Sequence, residues 1–326
     1  MPRVGRAFLP AFRTSINGPA HSAAESRLLR AYHSLEGLSC GDAFGERFFI
    51  HPDLALTLIQ QHSVPAPPWI FTDDTMMALS IVETLEKHNE IRQSELAHSF
   101  AKHYDFMRGY GPAMHNLLAE VRRRPDSWRT EAQALFDGQG SFGNGSAMRV
   151  APLGAYFADD VDMIPAQAAL SAETTHCHSE AVAGAIAVAL AAAGAWTFRR
   201  TSRLPDAKEF LEWVAERTPK SAVRQGIDKA AMLPEGTPVG AAVAALGNGK
   251  IVSCPDTVPF ALWCAAHYLD SYEEALWLTV AGLGDRDTTC AIVGGIVVMY
   301  TGVDSIPAEW LLAREPLPMH ILKRHR

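Results

Sequence analysis

Apolar residues recur at helical spacing along most of the chain, as in Met76, Met77, Leu79, Ile81, Val82 and Leu85, or Phe260, Leu262, Trp263 and Ala266. One face of a 3.6-residue helix accounts for that spacing, and runs of strict alternation, the mark of a half-buried strand, are hard to find. The pattern predicts an all-α fold. Helices are placed at about 26–44, 73–88, 93–104, 178–197, 257–268, 271–282 and 288–301. Further helices are placed at about 112–121, 146–157, 160–172, 206–217, 220–231 and 306–313. Turn-forming stretches separate them, among them Pro65-Ala66-Pro67-Pro68, Gly143-Asn144-Gly145 and Gly247-Asn248-Gly249.

No repeat or long linker divides this pattern, so residues 26–326 are read as a single compact many-helix domain. Residues 1–25 carry Arg3, Arg6 and Arg13 with no acid before Glu25, but Pro2, Pro10, Gly18 and Pro19 break any amphipathic helix. A flexible arm is expected there rather than a targeting segment. The stretch AVAGAIAVALAAAGAWTF, residues 181–198, is uncharged for about the shortest length that spans a bilayer. It is mostly alanine and glycine, which suits a core helix packed on all sides.

Composition sharpens this picture modestly. Of 326 residues, 48% are hydrophobic and 20% charged, enough for a sizeable core. A net charge of −7 argues against a nucleic-acid-binding surface. Five cysteines, odd in number and widely spaced, read as reduced thiols. A cytoplasmic monomer without membrane association is therefore expected.

Two acid clusters carry the candidate chemistry: Thr72-Asp73-Asp74-Thr75 and Asp285-Arg286-Asp287-Thr288. Each opens a helix, where an acid or threonine caps free N–H groups and the helix dipole favours negative charge. A cap needs only one such side chain, however, and adjacent carboxylates repel unless protonated or shared with a cation. Carboxylates and hydroxyls are hard ligands, suited to Mg²⁺ or Mn²⁺. Asp42, in Gly41-Asp42-Ala43-Phe44-Gly45-Glu46, is a third acid that a glycine-flanked helix end could bring to the same place. Ser141 to Arg149, SFGNGSAMR, is a glycine-rich entry to a helix and could hold phosphate on backbone N–H groups. His176 follows Thr174-Thr175 and could line a pocket.

In this order the motifs resemble the ADP-ribosylglycohydrolase family: GDAFG at 41–45, FTDDTMMA at 71–78, GNGSAMRVAPLG at 143–154, TTH at 174–176, LGNG at 246–249 and GDRDTT at 284–289. The resemblance implies an all-α fold and a metal-dependent hydrolase that removes ADP-ribose from a protein side chain or small acceptor. It also implies two divalent cations, Mg²⁺ or Mn²⁺. Thr72, Asp73 and Asp74 would bind one; Asp285 and Thr288 would bind the other, with Asp287 bridging. Asp74, Asp287 and Glu46 are the candidate catalytic residues. Phe142, Gly143, Asn144, Gly145, Ser146, Met148, His176 and Arg286 are the candidate ligand-binding ones.

Three positions depart from the family pattern. Phe49 stands where a glutamate is usual, leaving Glu46, about one helical turn earlier, as the nearest candidate base. Arg286 replaces a small residue, and could reach a substrate phosphate or weaken the second metal. Phe142 stands where some members have tyrosine. The alternative reading is a relative that binds ADP-ribose or a partner protein without turnover.

Overall fold

A computed structural model describes residues 23–318 and 320–322, and among them there are sixteen α-helices and no named strand. The arm assigned to residues 1–25 lies outside the described residues apart from its last three positions, which open the first helix, Ala23–Glu46. The strongly periodic segments form helices where the pattern put them, including Asp73–His88, Gln93–His103 and Tyr272–Ala281. Three short helices were not anticipated: Pro52–Gln60, Trp128–Ala134 and Val239–Leu246. Each starts at or just after a proline, and Val239–Leu246 is also almost wholly small and apolar, with no polar face to reveal a period.

Helix Arg286–Thr301 lies against the first helix, joining the two ends of the chain. Glycines make this approach possible. Gly37, Gly41 and Gly45 recur every four residues and form one stripe on the first helix. A Cβ on each would sit 2.4 Å from Gly294 O, 2.2 Å from Cys290 O and 2.2 Å from Arg286 O, respectively. Only bare backbone lets the two helices come this close. The pair therefore carries Asp42 and Glu46 on one helix and Asp287 on the other into one place.

The alanine-rich helix Ser179–Arg200 is the third central element. It is long and apolar enough to cross a membrane, yet its apolar window is 83% buried inside this fold, as expected of a core helix. Alanine also admits close neighbours: a Cβ on Gly154 would lie 1.9 Å from Ala189 O. An aromatic box locks the end of the first helix. Phe44 stacks on Trp310 at 4.4 Å between centroids and meets Phe48, Trp277 and Trp69 edge-on or tilted at 5.0–5.6 Å. Such pairs contribute about 0.5–1.5 kcal/mol each beyond burial, which fixes residues 42–46 at the mouth of the cleft.

Candidate active site

The first acid cluster is built around Asp42. Its carboxylate is wholly buried and accepts from Thr72 N at 3.0 Å, Thr72 Oγ1 at 2.9 Å, Thr75 N at 3.1 Å and Thr75 Oγ1 at 2.6 Å. Asp42 thus caps helix Asp73–His88 from a neighbouring helix. With those N–H groups satisfied elsewhere, Asp73 and Asp74 are released from capping. Thr72 Oγ1 also lies 3.0 Å from Asp74 Oδ2, while Asp74 Oδ1 is buried with no hydrogen-bond partner.

The strand-like entry to this cluster is clamped from the far end of the chain. Trp69 N donates to Ala313 O at 2.7 Å, and Glu315 N donates to Trp69 O at 2.9 Å. The Glu315 carboxylate accepts from Phe71 N at 3.1 Å and pairs with Arg108. Arg108 donates in turn to Phe71 O at 2.8 Å and lies over the Phe71 ring. Nothing local in the sequence signals Glu315 for this role.

The second cluster is held by glycine-rich segments. Asp285 N donates to Asn248 O at 3.1 Å, and a Cβ on Gly249 would meet Asp285 Cβ at 2.5 Å, which accounts for the Leu246-Gly247-Asn248-Gly249 motif. Asn144 donates from Nδ2 to Asp285 Oδ2 at 2.7 Å and to Thr257 Oγ1 at 3.0 Å. The glycine loop is thereby tied directly to the second acid cluster. Asp287 Oδ1, like Asp74 Oδ1, is buried and unpartnered.

The two clusters meet. Asp287 and Asp285 both raise the proton affinity of Asp74, after burial and Asp42. Burial and then the Asp42 charge push Asp73 up to about 8, and burial followed by Asp285 holds Asp287 well above the usual carboxylate range. Five acids so placed need protons or cations to neutralise them. Among the described residues no three carboxylate, imidazole or thiol groups already form a preformed cation site. Hydroxyls extend the donor set: each acid pair is flanked by a buried threonine, Thr72 or Thr288. The all-oxygen donor set and the two unpartnered carboxylate oxygens fit hard divalent ions, which complete their coordination with water or substrate hydroxyls.

An open cleft of about 290 Å³ runs over this floor, lined by Glu46, Asp287, Thr72, Phe49 and Arg108 among others. Glu46 is half-buried, and burial, followed by the Asp42 charge, raises its carboxyl to about 6. The ligand-binding candidates divide by where their side chains point. Phe142 is exposed, 5.4 Å from the His178 ring. Ser146 is buried and donates to Ala181 O at 2.8 Å, and Met148 is buried too, so these two can offer a ligand only backbone. His176 lies beneath the loop: a Cβ on Gly145 would come within 2.8 Å of its ring.

Among the described residues Arg286 forms no ion pair with the acids, although the charges of Asp287, Asp285 and Glu46 act on it. It donates to Phe48 O and, at 3.3 Å, to Gly284 O, and its guanidinium stacks 4.6 Å from the Phe49 ring centroid.

A bundle of this shape, with two acid clusters flooring a cleft beside a glycine loop, defines a class: the ADP-ribosylglycohydrolase family model matches residues 23–322, and the chain belongs to that family. It is thus an enzyme of the class that hydrolyses glycosidic bonds to ADP-ribose. Human ADP-ribosylhydrolase ARH3 is 29% identical over 332 residues, covering 88% of this chain and 89% of its own length. A protein of Archaeoglobus fulgidus is 30% identical over 293 residues, covering 84% and 88%. A solved structure titled ADP-ribosylglycohydrolase-related protein complex superposes with a TM-score of 0.64 at 24% identity, covering 89% of this chain and 94% of that one, and supports the fold.

Proposed function

We propose that the protein is a divalent-cation-dependent hydrolase that releases ADP-ribose from a modified protein side chain or a small acceptor. The observation that carries this reading is the pair of unpartnered buried oxygens, Asp74 Oδ1 and Asp287 Oδ1, in two acid clusters from distant parts of the chain that meet at the cleft lined by Thr72 and Asp287. Thr72, Asp73 and Asp74 would hold one Mg²⁺ or Mn²⁺, and Asp285, Asp287 and Thr288 the other. Bound ions supply charge stabilisation and polarise the oxygens they touch.

The chain's own residues account for the rest. Cleavage at the anomeric carbon builds positive charge on the ribose, and carboxylates beneath it stabilise that charge. Glu46 lines the same cleft, and a carboxyl near 6 accepts a proton from an attacking water close to neutral pH. The Gly143–Gly145 backbone receives the diphosphate, with Phe142 at the rim. Five unpaired cysteines, four of them buried, accord with a reducing, cytoplasmic setting.

The test uses serine- and arginine-linked ADP-ribosyl peptides with Mg²⁺, Mn²⁺ or EDTA. Release of ADP-ribose should require a divalent ion and fall about a hundred- to a thousandfold in Asp287→Ala, the scale of losing one preorganised group in an active site. Full turnover in EDTA would refute cation dependence. Binding without turnover under every condition would favour the non-catalytic alternative.

A further inference from the structure

Behind the glycine loop, Arg149 and Thr175, which have no role above, form a chain of contacts with the ligand-binding candidate His176. Arg149 is wholly buried and, among the described residues, has no carboxylate at ion-pair distance. Its Nη2 donates to Ser171 O and to Thr175 Oγ1, both at 2.9 Å, and its guanidinium lies 4.4 Å from the Phe100 ring centroid. Thr175 Oγ1 is 2.7 Å from His176 Nδ1.

The proton positions follow from donor and acceptor capacity. A guanidinium can only donate, so Arg149 occupies a lone pair of Thr175 Oγ1 and leaves the hydroxyl hydrogen to find an acceptor. The acceptor the structure offers it is His176 Nδ1. Protonating Nδ1 instead would strand a buried hydroxyl hydrogen and add a second donor to the same oxygen. A doubly protonated ring meets the same obstacle, beside the fixed charge of Arg149. Nδ1 is therefore bare, and the ring hydrogen sits on Nε2. That nitrogen faces the loop: a Cβ would come within 2.9 Å of it from Gly145 and 3.3 Å from Gly143.

We infer that Arg149 and Thr175 are positioning residues that lock His176 as its Nε2–H tautomer, so that the Gly143–Gly145 loop is backed by an uncharged donor facing an anionic ligand oxygen. The identity of that oxygen, a diphosphate, rests on the function proposed above; the tautomer does not. A locked neutral donor keeps ligand binding independent of the protonation that an ordinary imidazole undergoes near pH 6.5.

The test is nitrogen NMR of the full chain labelled at histidine, with and without ADP-ribose. The expected His176 signature is one neutral ring, bare at Nδ1 and protonated at Nε2, unchanged between about pH 5 and about pH 8. Thr175→Val removes the hydroxyl and should give a mixture of the two neutral tautomers, with ADP-ribose affinity lowered about tenfold by calorimetry, the scale of one lost hydrogen bond. Thr175→Ser should restore both. A purely structural role for Thr175 would lower stability in the valine variant and leave the tautomer alone, which overturns the inference. So would hydrogen on Nδ1 in the wild type, a measurement that does not depend on any variant folding. An Nε2–H ring in a protein that binds no ADP-ribose would uphold the lock and refute the ligand.

Discussion

The contact between the first helix and Arg286–Thr301 can be tested with one methyl group. In Gly41→Ala the new Cβ would stand 2.2 Å from Cys290 O and 2.9 Å from Cys290 C, both backbone atoms that no rotamer change can move. Carbon and carbonyl oxygen rest at about 3.3 Å or more, so the helices must part locally by about 1 Å. Overpacking of this kind costs about 1–3 kcal/mol or more, against a gain of at most about 1 kcal/mol from replacing a helical glycine by alanine. The expected net loss is about 1–2 kcal/mol. Gly240→Ala is the control: it too lies in a helix, Val239–Leu246, but its Cβ would meet nothing within 4 Å, so propensity alone should raise stability by about 0.5–1 kcal/mol. Urea unfolding followed by circular dichroism measures both. Because the parted helices carry Asp42 and Asp287, Gly41→Ala should also reduce the thermal stabilisation conferred by divalent ions. If both variants shift the midpoint in the same direction, close helix packing is not what positions the acids.

The remaining expectations concern the polar frame around the site. Asp42→Asn puts an amide donor where two N–H groups and two hydroxyls of Thr72 and Thr75 donate, and should cost about 2–3 kcal/mol in urea unfolding; a loss under about 0.5 kcal/mol would deny Asp42 its capping role. Burial, then the Arg149 charge, depresses the His176 imidazole to about 3. A folded pKa below the unfolded value near 6.5 gives stability that is complete above pH 6.5 and is lost as pH falls through that window toward 3. Between pH 8 and pH 5 the wild type should therefore lose about 2 kcal/mol more than His176→Gln, a difference in which the titrating acids common to both proteins cancel. Arg286→Ala should lose about 1 kcal/mol of stability and keep its divalent-ion affinity within about threefold, since the guanidinium engages Phe48 O and Phe49 and forms no ion pair with the acids. A change in that affinity beyond tenfold in a calcium or manganese titration would place Arg286 in the cation site after all.

Periodicity made the long helices legible because burial of one face is a repeated, local demand, and Asp73–His88 begins and ends where the pattern put it. The acid clusters were legible for a different reason: a cap needs one carboxylate, and each cluster has more. The sequence could not show which acid does the capping. Asp42 takes that part across thirty positions of chain, and its hydrogen bonds are visible only once two helices are packed. The Gly37, Gly41, Gly45 stripe was available in the sequence as a four-residue spacing, and read as a helix face it would have predicted the close neighbour. Glu315 and Arg149 left no such trace. One acts through a segment over two hundred residues away, and the other through Thr175, a partner that only the fold brings to its guanidinium.

The two departures at positions 49 and 286 become a single feature in three dimensions. In isolation, a phenylalanine in place of a glutamate removes a base, and an arginine between two metal-binding aspartates threatens to repel cations. The structure places each against the other. The turn that follows the first helix presents the Phe48 carbonyl, and Arg286 donates to it. Its plane is then covered by Phe49, which a carboxylate at the same position would not do: a glutamate there would pair with the guanidinium instead of waiting in the cleft for a proton. With Arg286 present, an acid at position 49 would make a poor base, and with Phe49 present the guanidinium has a reason to stay out of ion pairs with Asp285 and Asp287. The acid left facing the cleft beside Asp287 is Glu46, the last residue of the first helix, three positions before Phe49.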